Sequence, residues 1–192
     1  MVRRTDTRQR MLDTAADLFH SQGYHATGLT QLTTAGGAPK GSLYFHFPGG
    51  KEQLAAEAVR LSSERTGELL RAVVAGAPDV ATAIDRVVDA LANFLTESDF
   101  QRGCPLATVA LDAAAESEPI REACADGYAD WHDILTGYLA TQGLPADRAD
   151  ELGTIVLAAV EGGLLLARTR RDVAPLRAVA AHLHATLERE FS

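Results

Sequence analysis

The stretch that decides the fold is "GGAPKGSLYFHFPGGKEQL", residues 36–54. Two Gly-Gly pairs enclose a short segment that holds a lysine, a serine and several aromatic side chains. Leu43 and Phe47 are spaced i, i+4, so a helix would place both on one face and anchor it to a core. Pro39 suits the first turn of such a helix. We therefore predict a short helix over 39–47 whose other face is exposed.

Two more helices precede this segment. The apolar residues of "RMLDTAADLFHSQGY" recur at helical spacing, which predicts a helix over 5–21 that Gly23 ends. Thr27 is the expected N-cap of a second helix over 27–35. A helix, a Gly-bearing turn and a short helix make a helix-turn-helix pattern, which the first helix would cover. Two packed helices without a role in DNA binding are the alternative.

The rest of the chain has the pattern of long helices, without the alternation typical of strands. The sequence therefore predicts an all-α protein. The expected helices cover residues 51–76, 78–99, 104–117, 118–143, 145–172 and 174–191.

Composition indicates an ordinary globular protein, with 192 residues, 46% hydrophobic and 23% charged. The longest apolar run, 155–167, is interrupted by Glu161 and is shorter than the roughly 18 residues that a membrane span needs. The N-terminal segment lacks the apolar stretch of a signal peptide. We therefore expect a cytoplasmic protein with no membrane partner. Cys104 and Cys124 should be reduced, and their separation fits no zinc motif.

Charge is distributed unevenly along the chain. The formal net charge is −8, yet residues 1–51 carry +3 and residues 52–192 carry −11. This asymmetry suggests two functions in one chain. We predict a DNA-binding domain over 1–51 and a larger helical domain over 52–192.

The side chains expected on the exposed face of 39–47 are of types that contact DNA. Lysine donates to guanine or phosphate, serine reaches base edges, and phenylalanine packs against the thymine methyl group. Tyrosine and histidine suit phosphate oxygens, and glycine allows close approach. The candidates are Lys40, Gly41, Ser42, Tyr44, Phe45 and His46. Lys51 and the free backbone N–H groups of the next helix would form an anion site.

The quoted stretch, together with "RMLDTAADLFHSQGYHATGLTQL", resembles the signature of the TetR/AcrR family of transcriptional regulators, over about residues 6–58. The Pro-Gly-Gly-Lys form, and "GCPLATVALDAAAESEPIREAC" at 103–124, resemble the LmrA/YxaF-like subgroup. The resemblance implies a three-helix DNA-binding domain followed by a ligand-binding and dimerisation domain. We expect no catalytic site, metal or cofactor. Pro39 and the Phe45-His46 pair depart from the commoner family pattern.

The resemblance also implies further DNA contacts at Thr27, Thr30 and Gln31. Arg3 and Arg4 could form a minor-groove arm or merely a solubilising terminus. The expected partner is double-stranded DNA with a palindromic operator, because a two-fold dimer reads two half-sites roughly 34–36 Å apart. Repression is the default sign of regulation in the family.

A homodimer interface is expected on the last two helices, where small residues allow close approach and leucines add apolar area. The alternative is that these helices are only the core of one chain. The interface candidates are Ala158, Ala159, Gly162, Gly163, Leu165, Leu166, Leu176, Val179, Ala180, Leu183 and Leu187.

A small-molecule effector is expected in the second domain, in a pocket that is mostly apolar with a few polar groups. The subgroup resemblance suggests a planar aromatic effector, whereas acidic groups would favour a cationic drug. The candidates are Leu91, Phe94, Leu95, Leu111, Asp112, Tyr128, Trp131, His132, Leu135, Tyr138 and Glu161.

Other classes of protein fit less well. The sequence has no His-Glu-x-x-His motif and no phosphate-binding glycine loop, which argues against an enzyme. A redox-sensing regulator acting through Cys104 stays open, because that residue precedes a helix, where a thiolate can be stabilised. A helical interaction protein without DNA binding is the remaining alternative.

Overall fold

The structure, a computed structural model, describes residues 4–39 and 41–191, with side chains from Thr7 onward. Lys40, Arg3 and the side chain of Arg4 lie outside the described residues. Within this part the chain forms helices and no strand, which confirms the all-α class. The helices are α1 (Arg4–Gln22), α2 (Leu29–Ala35), α3 (Ser42–His46), α4 (Gly50–Ala75), α5 (Val80–Glu97), α6 (Pro105–Ala113), α7 (Glu118–Thr141), α8 (Ala146–Arg170) and α9 (Ala174–Glu190).

Two predictions near the helix-turn-helix are corrected by local hydrogen bonds. The carbonyl of Pro39 accepts the N–H of Ser42 at 2.8 Å in a turn, so α3 begins at Ser42 and not at Pro39. Thr27 does not cap α2, which follows Gly28. Its hydroxyl instead donates to the carbonyl of Gly23 at 2.7 Å.

The chain packs as two compact units. The first contains the described residues up to Arg65 together with Pro105–Tyr128, and the second contains Thr66–Cys104 and the chain from Ala129 onward. Packing thus groups α6 and the first part of α7 with the helix-turn-helix, and α4 and α7 each contribute to both units. The predicted boundary at residue 51 separates a DNA-binding part from an effector-binding part, so it is a functional division and stays a prediction.

The core of the first unit is built where α1 packs against α2 and α6. Each large buried side chain there contributes about 1.5–3 kcal/mol of hydrophobic stabilisation. Arg65 and Asp13, paired at 2.6 Å and half exposed, add little by comparison. The most deeply buried of these apolar side chains are Met11, Phe19, Leu32, Leu43, Phe47, Leu54, Leu106, Val109 and Ile120.

In the second unit, α9 packs against both α5 and α8. By length and composition alone α8 could cross a membrane, which is weak evidence for a span. Leu152, Leu164 and Ala167 of this helix are buried in the unit. Packing against neighbouring helices therefore accounts for the apolar residues on that side of α8.

Candidate nucleic-acid interface

The short helix α3 is fixed by two buried residues and exposes two aromatic ones. Leu43 and Phe47 are fully buried, as their i, i+4 spacing predicts. Tyr44 and Phe45 are each 58% exposed. The Phe45 ring meets the His46 ring edge-on, with centroids 5.0 Å apart. Adjacent exposed aromatic side chains on a firmly anchored helix are typical of a surface that binds a partner.

Contacts from α1 and α4 hold the end of α3 in place. The Arg8 guanidinium lies over the Phe47 ring, 4.9 Å from its centroid, and pairs with Glu57 of α4. Arg8 thus joins three helices through a cation–π contact and a half-buried ion pair. The sequence interpretation missed this role, because nothing local to Arg8 indicates its partners.

The three residues that the family resemblance adds are placed differently by the structure. Thr30 is exposed on α2, and Gln31 is partly exposed with its amide donating to Gln22 at 3.1 Å. Thr27 is corrected: its side chain is fully buried. Thr27 therefore fixes the turn before α2 and offers no side chain to DNA.

Lys51 is the second residue of α4 and lies in its first turn, where the Gly50 N–H donates to the carbonyl of Phe47 at 2.8 Å. Its ammonium sits 4.3 Å from the centroid of the Tyr24 ring. Burial lowers the pKa of Lys51, while the Asp112 carboxylate raises it. Burial also raises the pKa of Tyr24, with a further contribution from Glu52. Tyr24 is a second residue of the site that the sequence interpretation missed.

The predicted dimer interface is corrected on α9. Leu176, Ala180, Leu183 and Leu187 are buried within this one chain, so they belong to its core. Gly163 is buried as well, and a Cβ placed on it would lie 3.0 Å from Val179 Cγ2 and 3.3 Å from Leu176 Cδ2. Gly163 therefore serves the close packing of α8 on α9.

The outer face of α8 keeps the remaining interface candidates. Leu165 and Leu166 are 53% and 46% exposed, and Ala158 and Gly162 are exposed between them and the helix start. Ile155, which is 45% exposed, lies one turn before Ala158 and extends the same face. The sequence interpretation missed Ile155, although its helical spacing from the other residues could have identified it.

The residues predicted to line a ligand pocket belong to different units. Leu111 is 81% exposed on α6, and the Asp112 carboxylate accepts the N–H of His25 at 2.7 Å, so the structure places both away from the other candidates. Tyr128 also belongs to the first unit. The other candidates lie on α5, α7 and α8 of the second unit, with Leu95 and Trp131 buried. Their role stays a prediction.

Glu161 is a candidate whose surroundings alter its ionisation. It lies mostly buried on α8, and burial raises its pKa, although a hydrogen bond from the Cys104 thiol lowers it in part. A separate open groove of about 450 Å³ in the second unit contains none of the predicted ligand residues; its lining is Asp99, Phe100, Gln101, Leu165, Arg168, Thr169 and Arg171.

The part of the chain that the structure describes contains no cluster of three or more His, Cys, Asp or Glu side chains able to hold a metal ion. Cys104 and Cys124 are both buried. Burial raises the pKa of Cys124 to about 11. Neither thiol therefore has the exposed, thiolate-favouring surroundings of a reactive cysteine.

Comparison with known proteins agrees with this geometry. Residues 11–58 match the family model for bacterial regulatory proteins of the tetR family. Residues 80–182 match the model described as "Transcriptional regulator LmrA/YxaF-like, C-terminal domain". The HTH-type transcriptional regulator LmrA of Bacillus subtilis is 38% identical over 96% of this chain and 98% of its own length. The uncharacterised regulator YxaF of the same organism is 36% identical over 95% and 96%.

A solved structure extends the comparison to three dimensions. A TetR transcriptional regulator from Legionella pneumophila superposes with a TM-score of 0.81 and 25% identity, covering 92% of this chain and 95% of that one. Regulators of this family bind DNA, and they are not enzymes. The chain is thus a TetR-family transcriptional regulator whose C-terminal domain is of the LmrA/YxaF-like type.

Proposed function

We propose that this regulator is a repressor that binds a palindromic operator as a homodimer and is released by a small molecule. The observation that carries the proposal is α3 itself. Leu43 of this helix and Phe47, which directly follows it, are buried in the core, while Tyr44 and Phe45 are exposed. That arrangement suits a rigid helix that enters a major groove.

Each exposed group of the helix-turn-helix has a distinct part in this proposal. Ser42 and Phe45 read base edges, and Tyr44 and His46 contact phosphates. Lys40 adds a contact to guanine or phosphate. Gly41 allows the backbone to approach the groove, while Thr30 and Gln31 contact the DNA from α2. Lys51 binds a phosphate together with the N–H groups at the start of α4.

The outer face of α8 is the proposed dimer surface, centred on Ala158, Gly162, Leu165 and Leu166 with Ile155 added. Exposed apolar residues at helical spacing support it, because an apolar face of this kind is stabilised by a second copy of the helix. Ala159 and Val179, which are partly exposed, flank it. Two copies joined here present two α3 helices to one duplex.

The effector is proposed to bind among α5, α7 and α8 of the second unit, in the cytoplasm. Aromatic residues such as Phe94 and Trp131 suit a planar aromatic molecule, and Glu161 supplies a polar group that orients it. Effector binding would shift the second unit, and with it α4, which carries Lys51 at its start. A coupling of about 1–3 kcal/mol would weaken operator binding roughly 5- to 150-fold.

The experiment is a footprint of the purified protein on the DNA that flanks its own gene, followed by anisotropy titration of the protected duplex. We expect one or more two-fold symmetric sites and an affinity that falls steeply with salt, because several phosphates are neutralised. A chain that ignores every duplex at low ionic strength would contradict the proposal. An effector that binds tightly without changing operator affinity would contradict the release mechanism alone.

A further inference from the structure

Asp112 of α6 connects two segments that lie far apart in the sequence. Its Oδ2 accepts the backbone N–H of His25 at 2.7 Å, across 87 positions. Gly23, two residues earlier, has φ +84, and a Cβ on it would come within 2.9 Å of the same oxygen. A glycine at this position therefore lets the carboxylate lie directly against the turn between α1 and α2.

That turn carries Tyr24, whose ring is held by two other rings. Its centroid lies 5.9 Å from that of Phe19 and 5.2 Å from that of His25. The Lys51 ammonium rests on the Tyr24 ring at 4.3 Å. A chain of contacts thus runs from the Asp112 carboxylate through the backbone of the turn to the Tyr24 ring, and from the ring to Lys51.

We propose that Asp112 is a positioning residue for DNA binding, which fixes the turn that carries Tyr24 and so places the Lys51 ammonium for a DNA phosphate. The inference rests on the proposed function. It assigns a role in DNA binding to a residue of α6, outside the helix-turn-helix. Asp112 acts through the N–H it accepts and not through direct contact with DNA, since a carboxylate would repel phosphate.

If Asp112 acts by accepting this hydrogen bond, two substitutions of Asp112 should have different effects on DNA binding. Asp112→Asn keeps an oxygen that can accept the His25 N–H and removes the negative charge. Asp112→Ala removes the acceptor and leaves the turn without its anchor. Glu116→Ala is the matched control. The exposed Glu116 carboxylate lies 3.5 Å from the His25 ring, so the substitution removes a negative charge near the turn but no hydrogen bond to the turn's backbone.

The test measures operator affinity of each full-length variant across a salt series, with thermal unfolding recorded in parallel. Asp112→Ala should weaken binding about 5- to 20-fold and lower the slope of log K against log salt by about one, the share of one phosphate. Asp112→Asn and Glu116→Ala should bind within about twofold of the parent.

A double-mutant cycle decides whether Asp112 acts through Lys51. In a Lys51→Ala background, Asp112→Ala should cause little further loss, because the group that it positions is already gone. Tyr24→Leu should reproduce the loss caused by Asp112→Ala, whereas Tyr24→Phe should not. The two Tyr24 variants apply the same test without altering α6, should Asp112→Ala fail to fold.

The inference would be overturned by unchanged binding of Asp112→Ala, by an equal loss in Asp112→Asn, or by additive losses in the cycle. Unchanged binding by Tyr24→Leu would do so as well. These results require that the parent protein binds its operator. A parent that binds no duplex contradicts the proposed function itself, so the two failures are distinguishable.

Discussion

Gly50 lies against the ring of Tyr44: a Cβ placed on Gly50 would come within 3.3 Å of Tyr44 Cε1. Gly50 also has φ +68, in the left-handed region that glycine adopts at little cost. The residue that begins α4 therefore sets the position of an exposed aromatic side chain on α3. This contact couples the start of the long helix to the proposed DNA-reading surface.

The first prediction concerns this contact. Gly50→Ala should destabilise the protein by about 1–2 kcal/mol, because alanine is strained at a positive φ. It should also weaken operator binding, since Tyr44 is displaced while the protein stays folded. Gly41→Ala is the control for stability, because Gly41 has φ −71 and open space around a new Cβ. Urea unfolding should show no loss for Gly41→Ala, and an equal loss in both variants would contradict this account.

The second prediction separates affinity from sequence preference. Lys51→Ala should weaken binding on every duplex to a similar degree and lower the salt slope by about one. Ser42→Ala should instead change which bases are preferred at one position of each half-site. Binding selection on a randomised operator measures both effects. Parent-like preferences and affinity in both variants would show that the assigned contacts are wrong.

The third prediction concerns the outer face of α8. Leu166→Asp should convert the dimer to a monomer and weaken operator binding by about 100-fold or more, because the two half-sites are no longer bound together. Leu69→Asp is the matched control, since Leu69 is an exposed leucine of the second unit on α4. Light scattering coupled to size exclusion gives the mass of each variant. A dimer that survives Leu166→Asp would exclude this face.

The fourth prediction follows from the raised pKa of Glu161. The pKa of Glu161 is higher in the folded than in the unfolded protein. At a pH above the unfolded pKa, the folded protein therefore binds more protons than the unfolded one. The free energy of unfolding then falls as pH rises through the folded pKa. Glu161→Gln removes this dependence. Its unfolding midpoint should therefore exceed that of the parent more at pH 8 than at pH 5. An equal difference at both pH values would argue against a buried carboxylate.

The fifth prediction addresses the redox alternative. Cys124, with a pKa raised to about 11, and Cys104, buried beside the Glu161 carboxylate, should resist alkylation and mild peroxide in the folded protein. Mass spectrometry should find both thiols unmodified at pH 7.5 and reactive in urea. Rapid oxidation of Cys104 with loss of DNA binding would instead support a redox sensor.

Helix positions were predictable from the sequence because apolar residues recur with a period that depends only on local geometry. The same period located Leu43 and Phe47 in the core and left Tyr44 exposed. The predicted starts of α2 and α3 were wrong because local hydrogen bonds set them. The Thr27 hydroxyl turned back to a carbonyl four residues earlier, although its sequence context fits an N-cap equally well.

Contacts between distant segments were not predictable in the same way. An apolar face on α9 has the same pattern whether it packs on its own chain or on a second copy, so the sequence places Leu183 at a dimer interface, whereas the structure buries it within one chain. Asp112 reaches across 87 residues to His25, whereas the sequence offers it only as a polar group that could orient a ligand. Such pairings need three-dimensional information.

The most direct test of DNA binding by the helix-turn-helix uses an unusual property of the sequence: Lys40 and Lys51 are its only lysines. Acetylation with and without operator duplex, followed by mass spectrometry, therefore reports on these two side chains and the terminal amine. We predict that the operator strongly protects both lysines from acetylation. At higher salt, an unrelated duplex should protect them less than the operator does. If each lysine were acetylated to the same extent with and without operator, while the protein is fully bound to DNA, the account would be contradicted.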